Sequence, residues 1–271
     1  MTCDSSASSD SGRQYDAIAE LYDGYPGNYL EDVLFYAEEA KRFASPVLEV
    51  GVGTGRLAFC LAAVGVDVVG IDSSLPMLRL LARKRHTVGG QPGHVQAVAA
   101  DMRQFSLRRR FDLAIVAFRT FLYLLTEEDQ RWTLLAIREH LTPDGILAMS
   151  FFVPPEQFIA AGGTGRHEVT RFPAPGGNGE VVAYDEAEVI ADRRQIVSHL
   201  TYEWRDASGH TGRRLAHDMT MRYLFPEEVP PLLDDCGYEV AASYGSFERD
   251  PLVETSREQI WLAQRIEKPG L

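Results

Sequence analysis

Gly51, Gly53 and Gly55 stand at alternate positions directly after the apolar run Val47-Leu48-Glu49-Val50. Glycine lets a ligand approach the backbone where a Cβ would block it. A second apolar run, Val66 to Ile71, ends in Asp72. A glycine turn after one strand and an acid at the end of the next is how an open α/β sheet grips an adenosyl ribose. The Asp72 carboxylate has two oxygens, one for each ribose hydroxyl. The same position suits an N-cap for the next helix, a role Ser73 or Ser74 could also fill, so both readings of Asp72 stand. Groups able to take a proton are fewer. His217 is the base candidate by chemistry, because histidine titrates near neutrality. Its place on an apolar strand face equally suits a hydrogen-bonded core residue. No set of His, Asp and Cys has metal-ligand spacing.

The loop spacing narrows the cofactor. A dinucleotide site wants G-x-G-x-x-G or A, with a small last residue for close helix packing. Here that position is Arg56, and no phosphate loop ending in G-K-[ST] is present. With Glu49, Gly51, Gly53 and Gly55 in the pattern E-x-G-x-G-x-G, residues 46–152 resemble the class I S-adenosylmethionine-dependent methyltransferases of small molecules. The resemblance implies S-adenosylmethionine as cofactor and methyl transfer to a nitrogen or oxygen of a small molecule, such as one of specialised metabolism. It places the glycine loop against the methionine part. Glu49 would organise that loop near the amino end or serve the fold alone. Asp72 would receive the ribose, with Ser73 and Met77 as further cofactor-binding residues, while Asp101 and Met102 would border the adenine. Phe118 and Arg119 would line the substrate entrance.

The resemblance extends to the catalytic candidates. Tyr15-Asp16-Ala17-Ile18-Ala19-Glu20-Leu21-Tyr22-Asp23 is similar to the Y-D-x-[IL]-A-x-x-Y-D helix that caps the cofactor in these enzymes. Tyr15 and Tyr22 then face the methyl or carboxylate, or simply pack across the sheet. In sugar N-methyltransferases a segment like Phe118 to Leu124 carries a histidine near the methyl, and Tyr123 occupies that place here. A phenol, with an ordinary pKa of about 10, is a poor base at neutral pH, so Tyr123 suits orienting a substrate. Arg119 suits an acidic substrate group or an internal carboxylate equally. Two rivals share the same cofactor site: an enzyme using it for other chemistry, and a non-catalytic scaffold subunit.

The elements that must position these residues alternate. Short apolar runs at 47–50, 66–71, 94–99, 112–118 and 145–152 are separated by helices at 55–64, 75–85 and 127–141. Alternation of this kind predicts a parallel sheet with helices on both faces. Two helices precede it, from Gln14 to Tyr22 and from Tyr29 to Phe43, the second with Leu30, Val33, Leu34, Ala37 and Ala40 on its apolar face. After Pro154-Pro155 the glycine- and proline-rich stretches at 162–165 and 173–177 break the chain. Strands at 181–190, 195–204 and 213–224 follow, then a helix at 226–236 and strands at 239–245 and 258–266. The expected fold is α/β: a Rossmann-like, seven-stranded, mostly parallel sheet with an inserted antiparallel β-sheet lid after strand five. The divisions are a disordered tail at 1–12, cap helices at 13–45, a cofactor-binding core at 46–153, the lid at 154–225 and the rest of the sheet at 226–271.

Composition excludes other partners. A net charge of −12 over 271 residues argues against nucleic acid, which needs clustered Lys and Arg. Arg108-Arg109-Arg110 reads as a solvated loop. Cys3, Cys60 and Cys236 form no disulfide framework, and neither a signal peptide nor a membrane span is visible, so a cytoplasmic enzyme is expected. Aromatic edges on the lid would support a homodimer.

Overall fold

The computed structural model describes residues 13–25, 29–43, 46–177 and 179–268. The tail at 1–12 lies outside the described residues. Strands β1 (Val47–Val50), β2 (Val68–Asp72), β3 (Val95–Ala99), β4 (Phe111–Val116) and β5 (Leu141–Phe152) form the parallel part of the main sheet. All four residues of β1 are buried, as expected for a central parallel strand covered on both faces. Between these strands lie α3 (Arg56–Ala63), α4 (Leu75–Thr87) and α5 (Glu127–His140), preceded by α1 (Ala19–Tyr22) and α2 (Glu31–Lys41). Alternate residues of β4 enter two cores: Ala114 and Val116 face one, Leu113 and Ile115 the other.

After β5 and the short α6 (Glu156–Ala160) comes a separate antiparallel sheet of β6 (Gly163–Pro173), β7 (Glu180–Ile190), β8 (Gln195–Arg205) and β9 (Thr211–Arg222). Helix α7 (Val229–Asp235), β10 (Tyr238–Tyr244) and β11 (Glu258–Arg265) return the chain to the main sheet. Its order is β10-β11-β5-β4-β1-β2-β3, with β11 antiparallel to both neighbours. The order reverses between β1 and β4, and the crevice beyond their carboxyl ends is where such sheets bind ligands.

Three expectations are corrected. Strand β6 occupies 163–173, a stretch bounded by glycine and proline and mostly exposed, so no apolar alternation marked it. Gly163 is needed there, because a Cβ would lie 1.8 Å from the Ala187 carbonyl oxygen of β7. Instead of one helix from Gln14 to Tyr22, the chain forms a 3-10 turn at Asp16–Ile18 followed by the short α1. The inward face of helix α2 is rotated from the expected one: Ala37 and Ala40 are buried, but Leu30 and Leu34 are 57% and 75% exposed, and Asp32, Phe35 and Tyr36 are buried instead. Polar bonds select that face. Asp32 accepts from Arg56 at 2.6 and 2.7 Å, and the Tyr36 hydroxyl donates to Ser150 Oγ at 2.8 Å.

Candidate active site

The turn from β1 to α3 is built by its glycines. Gly51, Gly53 and Gly55 all have positive φ, a region closed to most side chains. At Gly51 a Cβ would also strike Thr120 Cγ2 at 2.4 Å, whereas at Gly53 it would meet nothing within 4 Å. Gly53 therefore faces open space that a ligand can fill. That space is a cavity of about 380 Å³ at the carboxyl ends of β1 to β4. Tyr22, Gly51, Gly53, Asp72, Ser73, Met77, Asp101, Met102 and Phe118 line it, together with Tyr15 and Tyr123. Gly55 instead starts α3 against Phe59 and Leu81, and Glu49 lies beneath the loop.

Asp72 ties the site together. Its carboxylate accepts from Gly53 N and from Ser74 N, each at 2.8 Å. The cap of α4 is Ser74, whose hydroxyl accepts from Met77 N at 3.3 Å. A carboxylate has about four acceptor positions, so these bonds do not exhaust Asp72, which lines the cavity. Burial pushes the Asp72 carboxyl up, and the Ser74 and Gly53 amides pull it back. Burial pushes Glu49 up to about 8, while Arg56 opposes the shift. Glu49 Oε2 has no hydrogen-bond partner among the described residues. Asp101 lines the same cavity and carries an ion pair of its own. Arg103 donates to it at 2.6 Å and also reaches Asp129 at 3.0 Å, which holds the Asp101 carboxyl below its ordinary value despite burial.

A strap from the N-terminal side closes this cavity. The Gln14 side chain bonds both backbone groups of Thr220 on β9, and Asp16 accepts from Ser74 Oγ at 2.5 Å. Asp23 accepts from Thr54 Oγ1 and pairs with Lys84, each at 2.7 Å. Tyr15 and Tyr22 thereby sit edge to face, and the Tyr15 hydroxyl bonds that of Tyr123. Burial raises all three phenols, Tyr123 to about 12. His217 does not line this cavity or the next. Its Nε2 bonds the Gln14 carbonyl oxygen and fastens β9 to the strap.

A second cavity of about 410 Å³ lies between the lid and the core and shares Tyr15, Phe118 and Tyr123 with the first. Phe118, at φ 63°, holds a left-handed conformation rare for an aromatic residue. Arg119 lines this chamber, with its guanidinium 4.6 Å from the Phe152 ring centre. Sequence reasoning missed three acids here and behind it. Asp185 and Glu258 line the chamber, but lie far along the chain on strands whose inward face only the fold reveals. Asp32 receives Arg56, and the pair fastens α2 to α3. The misassigned α2 face concealed it.

A glycine cradle and an anchored acid at the switch point, opening into a second chamber, define a nucleoside-cofactor enzyme on a Rossmann-like sheet. The family model described as a methyltransferase domain matches residues 47–145. The cypemycin N-terminal methyltransferase of a Streptomyces species is 31% identical over 222 residues, 81% of this chain and 82% of its own. Among solved structures, the CcbJ methyltransferase from Streptomyces caelestis superposes with a TM-score of 0.75 at 26% identity, covering 94% of this chain and 99% of that one. SAM-bound CalS10, an amino pentose methyltransferase from Micromonospora echinaspora, gives 0.64 at 25%, covering 93% and 96%. The chain belongs to the class I S-adenosylmethionine-dependent methyltransferases. It is an enzyme of that family, and S-adenosylmethionine is its cofactor.

Proposed function

We propose that the enzyme transfers the methyl group to the nitrogen of a small-molecule amine held in the lid chamber. The observation that carries this reading is the junction of the two cavities, formed by Tyr15, Phe118 and Tyr123. When bound, S-adenosylmethionine supplies an electrophilic methyl on a sulfonium centre. The chain's part is then chiefly to position the acceptor and exclude water. A hydroxyl acceptor requires a base in the right place, and the two phenols at the junction are held protonated by burial. An amine carries its own lone pair once neutral and needs only orientation. The N-terminal and amino pentose methyltransferases to which the chain is similar act, by name, on amino compounds.

In this reading Asp72 receives the ribose hydroxyls, Gly51 and Gly53 lie along the methionine part, and Met77 and Met102 border the adenine. Tyr15, Tyr22 and Tyr123 shape the passage for the methyl, with Arg119 on the acceptor side. Asp101 serves through its pair with Arg103, and His217 as a fastener of the strap. The test offers paired substrates, such as phenethylamine and phenethyl alcohol, with S-adenosylmethionine and locates the new methyl by mass spectrometry. Methylation of nitrogen is expected, and transfer to oxygen alone would sink the reading. The partner is a small molecule, and pairing of two lids as a homodimer is tested by sedimentation.

A further inference from the structure

We propose that Asp185 and Glu258 select the acceptor by charge, so that it enters the chamber as the ammonium ion of a basic amine without an acid group of its own. This rests on the N-methylation reading and names the substrate class for it. The two carboxylates come from opposite walls, Asp185 from β7 of the lid and Glu258 from the first residue of β11. Neither is satisfied by the protein. Ser198 Oγ donates to Asp185 Oδ2 at a long 3.3 Å, and Asp185 Oδ1 is buried with no partner among the described residues. The Glu258 carboxylate makes no hydrogen bond or ion pair among the described residues and is half-buried.

Leaving a carboxylate buried without a partner is costly. The rest of the chamber wall is largely apolar, with Leu200, Met219 and Met221 contributed by the lid. Arg119 is the cation that lines it, and among the described residues it makes no ion pair within 4.0 Å of either acid. One cation against two carboxylates leaves a single negative charge for the acceptor to neutralise. An ammonium ion does this, an alcohol does not, and an acceptor bearing its own carboxylate would meet two like charges. Before transfer the ammonium gives one proton to a chamber carboxylate or to solvent, which frees the nitrogen lone pair to form the bond to the methyl carbon as the sulfonium C–S bond breaks. The electrostatics agree. Burial raises Asp185, opposed by the Ser198 hydroxyl, His167, the Glu186 backbone and Arg119. Burial raises Glu258 to about 7, with Arg119 lowering it and Glu31 and Asp32 adding to the rise. Tyr25 and Tyr29 complete the surroundings of the two acids.

The experiment uses the full chain loaded with S-adenosylhomocysteine and two probes of matched shape, cyclohexylamine and cyclohexanol, titrated calorimetrically at pH 8. The wild type is expected to bind the amine at least about tenfold tighter, the scale of one charge-assisted hydrogen bond. Asp185→Asn and Glu258→Gln should each remove most of that preference while leaving affinity for S-adenosylhomocysteine unchanged, which also reports that the variant is folded. Should one variant fail to fold, the other carries the test. A wild type that does not distinguish the probes overturns the inference, as does a preference that survives in the variants. Methyl transfer is assayed separately: charge selection without nitrogen methylation would remove the N-methylation reading alone.

Discussion

Asp72 joins the end of β2 to the glycine loop by accepting from Gly53 N, and accepts from Ser74 N at the start of α4. Asp72→Asn turns one acceptor oxygen into a donor facing an N–H and removes the charge. A charge-assisted hydrogen bond contributes about 1.5–3 kcal/mol, so calorimetry should show affinity for S-adenosylhomocysteine falling at least about tenfold. Unchanged affinity would take Asp72 out of the cofactor site. Because burial holds Tyr123 up at about 12 and raises Tyr15 further from neutrality, neither phenol exchanges its proton near pH 7. Tyr123→Phe should therefore lower kcat several-fold without moving either limb of the pH–rate profile. Loss of a limb would instead identify Tyr123 as the base.

Between elements, the Arg56–Asp32 pair is the main polar fastening of α2 to α3. Both N–H···O bonds are short, the acid is buried, and the guanidinium also donates to the Tyr29 carbonyl oxygen at 2.7 Å. Removing one partner strands a buried charge, which costs about 3–5 kcal/mol, whereas replacing both by apolar groups is often neutral. Arg56→Met should lower the urea midpoint accordingly, and the double variant Arg56→Met with Asp32→Leu should recover most of the loss. Equal midpoints for the single variant and the wild type would contradict this account. Arg56 excluded a dinucleotide loop on spacing alone, but its partner was hidden, because an apolar-periodicity reading of α2 placed Leu30 and Leu34 inside.

Across the whole molecule, acids enclosed by the fold set its response to pH. Glu49 is pushed up to about 8 by burial, against about 4.3 in an unfolded chain. Folded protein thus holds a proton that unfolded protein has released between those values. The stability from this group is complete below the unfolded value and is lost as pH rises through the folded one. Glu258, raised to about 7, acts with the same sign. Glu49→Gln should flatten the fall of Tm between pH 5 and pH 8.5, measured by thermal denaturation. Parallel curves for variant and wild type would mean that the Glu49 carboxyl does not retain its proton on folding. Among the described residues no helix is long and apolar enough to cross a membrane, and no cluster of three metal-ligating side chains occurs.

By itself the sequence determined the parallel core, the glycine loop and the acid at the end of β2, because these depend on local pattern: short continuous apolar runs, glycines at alternate positions after a strand, and a carboxylate at a fixed distance along the chain. It also marked three of the four lid strands through alternation. Only the tertiary structure decided the rest. Strand β6 exists by pairing with β7, not by its own hydrophobicity. The inward face of α2 follows from Arg56 and Ser150 on other elements. His217 bonds the strap because β9 passes Gln14, and Asp185 and Glu258 share a chamber because the lid folds back over the end of β11. Such juxtapositions join residues far apart along the chain, and no local periodicity encodes them.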